Sequence, residues 1–254
     1  MLASSRKLCY HVVSDTERNG GTSMCTAIAK KGADILYGFN LDIDPAAWRF
    51  DLYRTKRVFS VGITVGRTTY YTHGVNRDGH FANVPYMNGE SFPVPKGMRR
   101  ERLDLLTDRY LRGKYSFADV EEILKTKALT GVPAATLHSL IGDRDGNLRI
   151  VEPGYGVQTV TENYAVLTNF PVLTTLPDYS SPFYGKERYD RAVSVLRDSG
   201  EDFSVSDALG LLKSVCQGGQ WATRVSFVYS VNENTVYYFL NGDDSHIEKH
   251  VFAP

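Results

Sequence analysis

A chain of 254 residues is long enough to bury one large core, and its Lys plus Arg equal its Asp plus Glu at 29 each, so no global field recruits nucleic acid or an anionic membrane surface. No apolar run approaches the roughly 18 residues that a membrane span requires. The cysteines, Cys9, Cys25 and Cys216, are odd in number and widely spaced, which argues against a disulfide framework or a zinc site and for a reducing, cytoplasmic compartment.

Residues 1–24 lack a positive region followed by an apolar core, so they do not read as a secretory signal. Three readings of this segment stand: a propeptide removed to expose Cys25, a disordered extension, or a translation start assigned too early. The last is favoured, because Gly20-Gly21 can be encoded as a ribosome-binding-like GGAGG a short distance before the Met24 codon. The chain thus divides into a leader, residues 1–24, and a single domain, residues 25–254.

That domain opens with two apolar runs, residues 25–29 and 35–42, around Lys30-Lys31-Gly32-Ala33-Asp34, which reads as a β-hairpin. Asp44 to Trp48 then reads as a loop, since proline disfavours continuing the strand. Strands follow at Arg57–Val65, Thr68–Gly74 and His80–Val84. Helical spacing at residues 102–112 and again from Ser116, a plausible N-cap, predicts two helices laid over the sheet.

The middle of the chain returns to strands. Ala134–Gly142 and Asn147–Glu152 flank Asp143-Arg144-Asp145-Gly146, a strong turn signal, whose two aspartates lack the later Glu of a calcium loop. Strands at Val157–Val160 and Tyr164–Thr168 lead into Asn169. Helices are expected at Gly185–Ser199, with Tyr189, Ala192, Val193 and Leu196 inward, and at Ser206–Cys216, where Cys216 closes an apolar face and Gly218-Gly219 terminates the helix. Strands at Val225–Val231, Thr235–Leu240 and Ile247–Phe252 end the chain. Periodicity alone gives an α+β fold with large antiparallel sheets, and no phosphate-binding glycine loop occurs.

Met24-Cys25 carries chemistry if the bond between them opens, for one residue then holds both a thiol and a free α-amine. An amine with a pKa of about 7.7–8.0 can take the proton of a thiol at about 8.5, and no separate histidine base is needed. The plainer reading is a small buried cysteine at a strand start.

Met24-Cys25-Thr26, followed by Gly38-Phe39-Asn40-Leu41-Asp42, resembles the amino end of the choloylglycine hydrolase family. That family contains bile salt hydrolases and penicillin V acylases and belongs to the N-terminal nucleophile hydrolases. Asn76 to Pro85, Leu137 to Asp143 running on to Ile150-Val151-Glu152, and Val166 to Pro171 resemble it in the same order. The resemblance implies a four-layer αββα sandwich with two antiparallel sheets between helical layers. It also implies hydrolysis of a linear amide bond in a small-molecule N-acyl substrate, with no cofactor and no metal; a homo-oligomer is compatible with it.

Carried over residue by residue, the resemblance makes Cys25 the nucleophile and Asp42 the carboxylate that holds its ammonium or thiol. Asn169 becomes a donor to the tetrahedral oxyanion through its side-chain amide, and Asn83 through its backbone N–H, with its side chain as a second option. Arg188 becomes the arginine near the nucleophile, with Arg224 as runner-up. One departure stands out: the family usually has arginine directly before Asn-x-Asp, and here that residue is Phe39, which cannot lower a thiol pKa. Bile salts are therefore a doubtful substrate. His138 reads as a satisfied core histidine, and His73 and His80 carry no assigned role. Two alternatives remain, an acyltransferase using the same thioester and a non-catalytic ligand-binding protein on the same scaffold.

Overall fold

The computed structural model describes residues 25–88, 97–132, 135–174 and 185–252. The leader and Cys9 lie outside the described residues. The opening hairpin forms as expected, with β1 at Thr26–Lys31 and β2 at Ile35–Asp42. With β12 (Tyr164–Leu167), β13 (Thr223–Ser230), β14 (Thr235–Leu240) and β15 (Glu248–Val251) these strands make a six-stranded antiparallel sheet, order β12-β1-β2-β13-β14-β15. A second antiparallel sheet faces it, built from β3 (Arg49–Arg54), β4 (Val58–Val65), β5 (Thr68–Asn76), β6 (Phe81–Ala82), β9 (Ser139–Gly142), β10 (Leu148–Glu152) and β11 (Gly156–Thr159). Its seven strands run in the order β11-β10-β9-β6-β5-β4-β3.

Three apolar clusters define four layers. Between the sheets, Ala27, Tyr37, Phe39, Phe59, Phe81, Leu140 and Phe227 pack together, as alternation along each strand demands. On the outer face of the first sheet, Ile28, Leu36, Val166 and Val228 meet Ala192 and Leu196 of α3 (Lys186–Asp198) and Leu212 of α4 (Val205–Ser214). On the outer face of the second, Ala82, Ile141 and Val151 meet Leu103 and Leu106 of α1 (Leu103–Leu111) and Val120 of α2 (Phe117–Thr126). The expected αββα sandwich is the observed architecture.

Local chemistry explains the ends of the elements. The Ser116 hydroxyl accepts from Asp119 N at 3.2 Å and the Asp119 carboxylate accepts from Ser116 N at 2.8 Å, a capping box. Ser204 and Asp207 repeat the device at α4. Thus α4 starts at Val205 rather than Ser206, and it stops at Ser214, leaving Cys216 beyond the helix. Gly218-Gly219 is not its terminator; Gly219 opens a short 3-10 turn, Gly219–Trp221. Lys30, on the helix-facing side of β1, reaches the end of α3 and donates to Leu196 O at 2.9 Å and Ser199 O at 3.1 Å, so a buried ammonium satisfies carbonyls that the helix leaves open.

Other expectations need correction. The loop at Asp44–Trp48 stands, but the stretch after it, to which the sequence reading assigns no element, is the edge strand β3, because Phe50 and Leu52 alternate inward onto the inter-sheet core. The strand expected at Ala134–Gly142 is ordered as a strand only from Ser139; ahead of it Leu137 makes a single bridge to Tyr86, and residues 133–134 lie outside the described residues. Two short parallel strands, β7 (Arg100–Arg102) and β8 (Ala128–Thr130), leave no mark in the periodicity of the sequence. Glu101 pins them by ion pairs with Arg109 and Lys127, both at 2.7 Å.

Candidate active site

Antiparallel pairing gathers distant residues at one end of the first sheet. The register Thr26↔Asn40 and Thr223↔Asp42 brings the start of β1, the end of β2 and the start of β13 together, and Ala27↔Leu167 adds the end of β12, which leads into Thr168 and Asn169. Helix α3 begins above them with Arg188 in its first turn.

Arg188 ties the group. Its Nη1 donates to Cys25 O and to Thr26 Oγ1, both at 2.7 Å, its Nη2 donates to Asn169 Oδ1 at 2.8 Å, and Nη1 stands 3.7 Å from Asp42 Oδ2. Gly185, at the N-cap of α3 with φ +73°, makes this reach possible. A Cβ there would meet the guanidinium, 2.8 Å from Cζ, so both the left-handed backbone and the crossing of Arg188 call for glycine.

Asp42 is fully buried and accepts from Thr223 Oγ1 at 2.6 Å. Burial pushes its carboxyl pKa up to about 7, against the opposing pull of the Arg188 charge and the Thr223 hydrogen bond. Burial likewise lowers the Arg188 pKa, and the negative charges of Asp42 and Cys25 oppose that shift. Cys25 is 1% exposed, at the edge of the inter-sheet core.

Both asparagines are buried and oriented, in different ways. Asn169 uses Oδ1 for Arg188 and donates from Nδ2 to Tyr86 O at 2.7 Å, while its backbone carbonyl accepts from Asn88 N at 2.7 Å. Asn83 Oδ1 accepts from Leu140 N at 3.2 Å, which orients the amide; its Nδ2 is buried with no hydrogen-bond partner among the described residues. A buried, unspent donor of this kind is what a developing oxyanion would use. Direct contacts bring together Cys25, Asp42, Asn169 and Arg188, whereas Asn83 is linked to them through the chain from Asn83 to Tyr86. Arg224 stands apart, half-buried on β13, its Nη1 3.5 Å from Asn241 Oδ1.

Phe39 is fully buried, stacked on His73 with ring centroids 4.7 Å apart and tilted against Phe227 at 5.9 Å. His73 Nδ1 accepts from Val84 N at 3.1 Å, and burial lowers its pKa to about 3, so it is neutral beside Phe39. No cation enters from this position. Cys216 Sγ lies 3.8 Å from Asn40 Nδ2 and from Ser226 Oγ, and burial raises its pKa, in keeping with a structural thiol. His138, fully buried, bonds Glu152 Oε1 at 3.1 Å and Thr168 O at 2.9 Å. Sequence reasoning missed this pairing, although extending the β9–β10 register one step beyond Ser139↔Val151 sets His138 opposite Glu152.

A groove of about 660 Å³ opens between Tyr155–Gln158 and Val172–Thr174, beginning three residues after Asn169. Among the described residues no group of His, Cys, Asp and Glu is arranged to hold a metal ion, and no helix is long and apolar enough to cross a membrane.

No family model matches the sequence, and no curated protein matches it. Solved structures do match its fold. A mutant of the conjugated bile acid hydrolase from Clostridium perfringens aligns at 14% identity over 89% of this chain and 91% of its own, with a TM-score of 0.65. Penicillin V acylase from Agrobacterium tumefaciens aligns at 16% identity over 85% of this chain and 83% of its own, TM-score 0.57. The Caenorhabditis elegans N-acylethanolamine-hydrolyzing acid amidase ortholog aligns at 13% identity over 81% and 92%, TM-score 0.54. The chain shares the fold of these proteins, as its sequence resemblance implied.

Proposed function

We propose that the chain beginning at Cys25 hydrolyses a linear amide bond of a small N-acyl substrate. The observation that carries this reading is Arg188, held within 2.8 Å of Cys25 O, Thr26 Oγ1 and Asn169 Oδ1 and 3.7 Å from Asp42 Oδ2. One cation buried among a thiol-bearing residue, a carboxylate and an amide is a costly arrangement for a purely structural end of a sheet. It suits a site that must hold a nucleophile in register.

With residues 1–24 absent, the Cys25 α-amine takes the thiol proton and the thiolate attacks the amide carbonyl. The oxyanion is met by Asn83 Nδ2 and by the remaining N–H of the Asn169 amide, each such donor being worth about 2.7–4 kcal/mol in the transition state. The ammonium returns its proton to the departing amine, leaving an acyl thioester on Cys25. Water, deprotonated by the same amine, attacks the thioester and releases the carboxylic acid and the thiol. Asp42 in its carboxylate form accepts a hydrogen bond from the ammonium, whose positive charge favours the ionised form against the burial that raises the carboxyl pKa. The open groove beside Val172–Thr174, with Tyr155, Val157 and Leu173 but also Gln158 and Thr174 in its walls, is the proposed seat of the acyl group.

The test uses protein trimmed to begin at Cys25 and a panel of N-acyl amino acids, penicillin V and conjugated bile acids. The expected outcome is cleavage of at least one, together with one iodoacetamide adduct more than in Cys25→Ala, and no cleavage by that variant. Retained cleavage in Cys25→Ala, or trimmed protein that cleaves none of the panel, rejects the reading.

A further inference from the structure

We infer that His138 and Glu152 form a buried hydrogen-bonded clamp that positions Asn169, a role separate from any contact with substrate. Both side chains are fully buried. His138 Nε2 lies 2.9 Å from Thr168 O, an acceptor only, so Nε2 carries a proton. Glu152 already accepts from Val172 N at 2.8 Å on Oε1 and from Leu173 N at 2.9 Å on Oε2, so both of its oxygens face donors. The 3.1 Å contact between Oε1 and His138 Nδ1 is then bridged by one proton shared between the imidazole and the carboxyl group. That proton satisfies both groups whether it rests on Nδ1 or on Oε1, because a carboxyl oxygen can donate to Nδ1 while accepting from Val172 N. A neutral imidazole facing a carboxylate would set acceptor against acceptor.

The clamp grips the segment carrying Asn169 from both sides. Thr168 C=O belongs to the peptide plane whose N–H is that of Asn169, and in a trans peptide the two point in opposite directions. Fixing the carbonyl therefore fixes the direction in which the Asn169 backbone enters the site. Beyond Asn169-Phe170-Pro171, the carboxylate holds the next two amides. Asn169 in turn holds Arg188 through Oδ1 and Tyr86 O through Nδ2, so an error in the Asn169 backbone reaches the guanidinium that touches Cys25. Small misplacements of this kind cost on the order of 100-fold in rate.

The function of Asn169 named here rests on the proposed amide hydrolysis, but the clamp itself does not. Three measurements, two on the full chain and one on protein trimmed to Cys25, separate the two. In the wild-type protein labelled with ¹⁵N-histidine, the ring of His138, identified by loss of its signals in His138→Gln, is expected to show an Nε2–H proton slowed in exchange and an Nδ1 shifted by a hydrogen bond; an Nε2 without a proton, or with one that exchanges freely, overturns the clamp. In Glu152→Gln, which keeps the shape and replaces one acceptor oxygen with a donor, the Asn169 side-chain amide and the Arg188 Nε–H signals are expected to shift while those of Asn234, at the far hairpin, stay in place. A folded Glu152→Gln with Asn169 and Arg188 unmoved also overturns it. His138→Gln serves the same comparison if Glu152→Gln does not fold, and the wild-type measurement needs neither. On a hydrolysed N-acyl substrate, Glu152→Gln trimmed to Cys25 is expected to lose on the order of 100-fold in kcat with KM within about threefold; unchanged kcat marks the pair as structural only and overturns its positioning role. Wild-type protein that cleaves no amide while its His138 and Asn169 signals behave as stated rejects the proposed activity and leaves the clamp standing.

Discussion

Arg188→Met keeps the length of the side chain and removes its charge and donors. The wild-type guanidinium satisfies Cys25 O, Thr26 Oγ1 and Asn169 Oδ1 at 2.7–2.8 Å and faces Asp42 Oδ2 at 3.7 Å. Hydrogen bonds to a charged group contribute about 1.5–3 kcal/mol each, but bonds sharing one guanidinium do not add. The better guide is the loss of one member of a buried ion pair, about 3–5 kcal/mol. At about 2–4 °C per kcal/mol for a domain of this size, the melting temperature should fall by about 6–20 °C.

The loss should also depend on pH, in a direction that Asp42 sets. Its folded-state pKa of about 7 lies above the ordinary 3.8, so the folded protein holds that proton more tightly than the unfolded chain. The stability this contributes is complete below about pH 4 and disappears as pH rises through about 7. Without Arg188 the carboxyl has lost its nearby cation and keeps its proton to still higher pH. The methionine variant therefore loses least at about pH 5.5, where Asp42 is largely protonated with or without Arg188, and most at about pH 8.5. Urea melts of the wild type, Arg188→Met, Asp42→Asn and the double variant at both pH values measure this directly. A loss equal at the two pH values, or a double variant no more stable than Arg188→Met at the higher one, would refute the electrostatic coupling.

Two further substitutions separate the site from the scaffold. Gly185→Ala should displace Arg188 and strain a backbone at φ +73°, lowering stability by about 1–3 kcal/mol and changing the rate of iodoacetamide reaction at Cys25; an unchanged alkylation rate would show that Arg188 can yield without consequence. Lys30→Met removes the donor to Leu196 O and Ser199 O and should cost about 1–3 kcal/mol in a urea melt while leaving Cys25 alkylation as in the wild type.

The resemblance in sequence reached the fold because it rested on ordered stretches, and two of them, around Cys25 to Asp42 and Val166 to Pro171, form adjacent strands of one sheet. Local signals also place the helices well, since capping at Ser116 and apolar spacing act within a few residues. The misses have physical causes. The strand β3 carries its alternation in Phe50 and Leu52 among charged neighbours, and it is fixed by pairing with β4. The parallel pair β7 and β8 is three residues a side and depends on Glu101 meeting Arg109 and Lys127 across the fold. Apolar spacing opens α4 at Ser206, one residue late, because the reciprocal cap between Ser204 and Asp207 is polar and leaves no trace in that spacing.

By itself, the sequence determined the hairpin that carries Cys25 and Asp42, the alternation that forms a core between two sheets, and the amphipathic helix that carries Arg188. Those features depend on neighbours one to four residues away, and period and turn chemistry record them. Only the tertiary structure decided that Arg188 rather than Arg224 meets Cys25, that Phe39 lies against a neutral His73, and that the Asn83 amide nitrogen has no partner among the described residues while Asn169 holds Arg188 through Oδ1 and Tyr86 O through one N–H. These are facts of burial and orientation between segments far apart along the chain. The desolvation that lifts the Asp42 pKa, and the pairing of His138 with Glu152, exist only once the layers have closed over them.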